Sequence, residues 1–169
     1  MRFEFKVNWL RRHFERYRQR SAWDFCWRIA VEGTILGLIF AGVVSLIVTE
    51  PEEEFPDWGV ATELLVIVVI APLVETLLLQ SLPIFVARKF NASFRLQVIV
   101  SMVLFAACHF YFEGIVTGIA AGVIGGFYFA FTYAHWREKS RWTAFWVTAV
   151  SHAIHNGIVI GLAMLAGDF

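Results

Sequence analysis

Five long apolar runs divide the 169-residue chain, at 29–48 and roughly at 60–87, 95–112, 114–135 and 141–165. A helix needs about 20 apolar residues to cross the hydrocarbon core of a bilayer. Inside that core every backbone N–H and C=O must find a partner within the protein, which leaves helices or a closed barrel. Unbroken runs of this length, without polar alternation, select helices. Composition agrees: 59% of residues are hydrophobic and only 17% charged, far from a soluble domain. The expected fold is all-α, a polytopic transmembrane bundle of about five spans.

Charge supplies the orientation. All 14 Lys and Arg lie before the first run, at its inner edge (Arg28), in the "RKFNASFR" connection or in "HWREKSR". The acidic 49–59 segment, the turn near Glu113 and the terminal "GDF" carry none. By the positive-inside rule the N-terminus is cytoplasmic, and five crossings leave the C-terminus outside, in the plasma membrane if the cell is bacterial. Residues 1–28 interleave Phe3, Phe5, Trp9, Phe14, Tyr17, Trp23 and Trp27 with basic side chains, a pattern suited to an amphipathic helix in the headgroup layer. Nucleic-acid binding is the rival reading of that segment and is not adopted, since a lipid surface accounts for the charge. Residues 1–28 thus form a membrane-surface segment and 29–169 the bundle. The first run is too long for a signal-peptide core, and no cleavage site follows it. Cys26 and Cys108, in different segments, are expected to be free thiols.

The polar residues inside the runs share a depth. Counting about 1.5 Å per residue from the cytoplasmic ends places Glu75 roughly 18 Å deep, His109 roughly 21 Å, and His152 and Asn156 roughly 17 and 22 Å. Three separate spans therefore bring titratable or amide groups to one slab near the midplane, where such groups face a cavity or one another.

Other polar or breaking residues have plainer readings. His155 is expected to be a packing residue beside His152. Glu32, four residues after Arg28, is expected to pair with it, and Glu63 to reach the headgroups. Pro72 has no N–H for the carbonyl of Val68, so the second span should kink or open there. Gly114, Gly118, Gly122 and Gly126 line one helix face, which suits close packing inside the chain or a homodimer contact. Cys108 and His109 point about 100° apart on a helix, against a thiol nucleophile.

In order, "PLVETLLLQ", "FAACHF" and "SHAIHN" resemble the three motifs of the CAAX-protease and bacteriocin-processing (CPBP, or ABI) family of intramembrane proteases, over roughly 60–165. That family's pattern is E-E-x-x-x-R, F-x-x-x-H and H-x-x-x-N or H-x-x-x-D, each on its own helix. Glu75 matches the first Glu, Phe105 and His109 the second motif, and His152 and Asn156 the third. Thr76 stands for the second Glu and Gln80 for the Arg, so a charged pair is replaced by a neutral one able to hydrogen-bond. The resemblance implies a glutamic-type endopeptidase. Glu75 and His109 would activate water, and His152 and Asn156 would stabilise the oxyanion, with Thr76, Gln80 and Phe105 in support. It implies no cofactor and no metal, with membrane lipid and the C-terminal region of a peptide or protein as partners. Alternatives remain open at this point: zinc held by Glu75, His109 and His152, a haem between histidines, or an inactive binding or immunity protein of the same fold.

Overall fold

The computed structural model describes residues 15, 17, 20–49 and 59–167, and the surface segment expected over 1–28 lies largely outside them. Helix α1 (Ala22–Ser45) begins seven residues before the expected start of the first span. Ser21 caps it by accepting a hydrogen bond from the Asp24 N–H. Trp23 and Trp27 are exposed on its first turns, where aromatic side chains favour the headgroup boundary. Arg20 and Arg28 both pair with Asp24, at 3.0 and 2.8 Å.

Helix α2 (Val60–Lys89) runs 30 residues. It is interrupted by two wide π-helical turns, Val66–Ile70 and Thr76–Ser81, on either side of Glu75. The 44-residue stretch Phe94–Arg137 is broken at Gly114, whose φ of 83° and ψ of −169° leave the helical region. Its two parts are α3 (94–113) and α4 (115–137). They lie antiparallel, because Gly118 abuts Phe110, Gly122 abuts Ala106, and Gly126 abuts Phe105. Helix α5 (Arg141–Ala166) completes the bundle. Among the described residues four helices are long and apolar enough to cross a membrane, and the third folds back on itself at the glycine where the sequence predicts a turn.

Contacts fix the helix directions. Cys26 and Thr34 of α1 meet Val147 and His155 of α5, so those helices run parallel. Ile67 and Glu75 of α2 meet Asn156 and His152, so α2 runs against α5. The Ser21, Ser93 and Ser140 caps thus share one end of the bundle with the Lys and Arg of the described residues. The apolar core, with Phe25, Ile84, Val98, Tyr133, Trp136 and Val147, fills that basic half. Large side chains such as Leu77, Leu78, Val103 and Leu162 face outward, as a lipid-facing surface requires. The chain is an integral membrane helix bundle.

Two sequence expectations are corrected and one is narrowed. Glu32 does not pair with Arg28; its carboxylate accepts from the hydroxyls of Tyr17 (2.5 Å) and Tyr128 (2.8 Å), while Arg28 is drawn to Asp24. Tyr17 and Tyr128 are both buried, and a carboxylate is a strong acceptor for a buried hydroxyl. The glycine face, expected to pack inside the chain or against a second copy, packs inside it: Gly118, Gly122 and Gly126 meet α3, and Gly114 is the break. Thr76 and Gln80, both fully buried, make no hydrogen bond with each other or with any other group. They lie in a π-helical turn, whose i→i+5 bonding moves residues four apart out of α-helical alignment.

Candidate active site

The non-basic half of the bundle holds a cavity of about 1020 Å³. Glu75, His109, His152 and Asn156 all line it, together with Phe105, as their common depth predicts. Glu63, Glu113, Thr34 and His155 line it as well, none of which the sequence singles out for chemistry. Two acids, an imidazole and a hydroxyl thus join the wall without a motif; Glu113 stands one helical turn after His109, a spacing that was available as a signal. The α2 contacts with α5 run over 66–81, whereas its contacts with α3 come from 76–89. Glu75 and His109 therefore stand on two helices that separate toward the non-basic end.

The two imidazoles are set differently. Nδ1 of His109 lies 3.0 Å from the carbonyl of Phe105 one turn earlier. A carbonyl only accepts, so this nitrogen carries the ring proton and Nε2 keeps its lone pair in the neutral ring. That Nε2 faces Glu113 Oε1 at 3.9 Å. Phe105, fully buried, stacks on the His109 ring with centroids 4.3 Å apart, which holds its plane. His152 stacks on Phe129 at 4.1 Å. Its Nδ1 is buried without a hydrogen-bond partner among the described residues, and its Nε2 faces Glu75 Oε2 at 3.8 Å. That separation exceeds a direct hydrogen bond; one water molecule can reach both atoms.

His155 makes the packing contact expected of it, with Nδ1 2.8 Å from the Thr34 hydroxyl. Asn156 donates from Nδ2 to the carbonyl of Ile67 on α2 at 2.8 Å. The carbonyl freed near Pro72 is therefore that of Ile67, where the sequence pointed to Val68, because the π-helical turn shifts the bonding by one residue. Among the described residues no three His, Cys, Asp or Glu side chains cluster as metal ligands would. Both cysteines are free.

Comparison with curated proteins and with solved structures gave no match. Residues 57–158 match the family described as type II CAAX prenyl endopeptidase Rce1-like. The match runs from the segment before α2 into α5 and takes in all three motifs and four of the five helices. The match covers more than half of the chain, and the chain belongs to the Rce1-like family of type II CAAX prenyl endopeptidases.

Proposed function

We propose that the protein is a glutamic-type intramembrane endopeptidase that hydrolyses a peptide bond near the C-terminus of a membrane-anchored substrate. Glu75 and the Nε2 lone pair of His109 take the proton of a water as its oxygen attacks the scissile carbonyl carbon. Nε2–H of His152 and the carboxamide of Asn156 donate to the oxyanion that forms. The proton then passes to the leaving nitrogen as the C–N bond breaks, giving an amine and a carboxylic acid, whose remaining proton, from the same water, is lost to solvent as it ionises. A base and an oxyanion site are worth most where bulk water is excluded. Substrate entry between the diverging parts of α2 and α3 suits a peptide held in the bilayer by a lipid or an apolar tail.

What supports this reading is the gathering of Glu75, His109, His152 and Asn156 on one cavity, with His109 Nδ1 3.0 Å from the Phe105 carbonyl and His152 Nε2 3.8 Å from Glu75. The test is an internally quenched peptide ending in a farnesylated CAAX sequence, supplied in liposomes with the purified protein. Glu75→Gln and His109→Ala should each abolish cleavage while the protein stays folded and inserted. Asn156→Ala should lose about 100- to 1,000-fold, the usual cost of one oxyanion donor. Undiminished cleavage by Glu75→Gln would refute the mechanism.

A further inference from the structure

We propose that Pro72 is a positioning residue: by withholding a backbone donor from the Ile67 carbonyl, it creates the acceptor that fixes the Asn156 carboxamide in the cavity. Two backbone N–H groups are in sequence position to satisfy that carbonyl. Residue 71 would do so in α-helical register, but the N–H of Ala71 goes to Val66 across the π-helical turn. Residue 72 would do so in π register, but a proline has no N–H. The carbonyl is left to Asn156, which reaches across from α5 to within 2.8 Å. A buried acceptor without a donor is costly, so the contact is held firmly.

Its consequence is orientation. The two ends of a carboxamide are nearly equal in shape and opposite in hydrogen-bonding. Because a carbonyl only accepts, Ile67 selects Nδ2 over Oδ1, and the second hydrogen on that nitrogen remains for the cavity. With no acceptor at Ile67, the carboxamide is free to turn and present its oxygen, which repels a developing negative charge. Pro72 itself is fully buried beside the site and touches no reacting atom in this scheme. It acts on Asn156 through the backbone.

Thermal unfolding in detergent of wild type, Pro72→Ala, Asn156→Ala and the double variant tests the coupling without any assumption about activity. With Pro72 present, Asn156→Ala should lower Tm by about 3–8 °C. In the Pro72→Ala background the alanine N–H serves Ile67, and the same substitution should cost less than half as much. Equal losses in both backgrounds would overturn the proposal. If Pro72→Ala does not fold, Asn156→Leu decides. A Tm loss like that of Asn156→Ala supports the bond, since Leu fills the space without a donor, and a wild-type Tm overturns it. The kinetic arm rests on the endopeptidase reading and uses the farnesylated peptide. Pro72→Ala should lower kcat about 100-fold with KM little changed, and should have no effect in the Asn156→Ala background. An unchanged kcat in Pro72→Ala would also overturn the proposal. Failure of the wild type to cleave the peptide would count against the endopeptidase reading and leave the Tm comparison to decide this one.

Discussion

A single methyl group at Gly122 should open the seam on which His109 sits. A Cβ built there lies 3.0 Å from the Cα of Ala106, 3.1 Å from the Cβ of His109 and 3.3 Å from the Ala106 carbonyl oxygen. Two of these are backbone atoms of α3, which cannot rotate away, so the helices must separate by some tenths of an ångström. Overpacking of this kind costs about 1–3 kcal/mol, and a backbone neighbour argues for the upper end. Alanine recovers roughly 0.5–1 kcal/mol through helix propensity. The net loss for Gly122→Ala is then about 2 kcal/mol, or about 4–8 °C in Tm for a chain of this size. Gly161 is the control: nothing lies within 4 Å of its Cβ position, so Gly161→Ala should be neutral or raise Tm slightly. Gly118 separates distance from compliance. A methyl there overlaps the Phe110 ring, yet that ring is 40% exposed on the outer surface and can swing aside. Gly118→Ala should therefore cost less than Gly122→Ala. Unfolding curves of the three variants in one detergent measure the order. Finding Gly118→Ala the most damaging, or Gly122→Ala as stable as Gly161→Ala, would refute the reasoning.

Two further outcomes are expected. Gln80→Met removes a buried carboxamide whose oxygen and nitrogen both lack a partner, so it should leave Tm unchanged or raise it by a few degrees; a clear fall would mean that the amide is satisfied in the folded protein. Reporter fusions before Met1 and after Phe169 should be found inside and outside the cytoplasm respectively, as the confinement of Lys and Arg to one end of the bundle requires, and two reporters on the same side would refute that orientation.

Length of apolar run, one-sided charge and the three short motifs were sufficient for the fold class, the family and the placing of Glu75, Phe105, His109, His152 and Asn156 on one cavity. Each is a property that a single helix carries in a hydrocarbon solvent. Crossing the bilayer is decided by local hydropathy, and depth follows from a rise of about 1.5 Å per residue. Partner choice was not legible in the same way. Glu32 has a cation four residues away in sequence, yet two tyrosines, one of them on α4, take its carboxylate. The Gly118, Gly122 and Gly126 face reads as a packing surface, but with which partner is not told until α3 is seen against it. Thr76 and Gln80 look like an α-helical pair, but the π-helical turn that separates them has no sequence code of its own. Asn156 meets Ile67, 89 positions away in the chain. These are matters of which groups compete for the same buried partner, and that competition exists only once the helices are packed together.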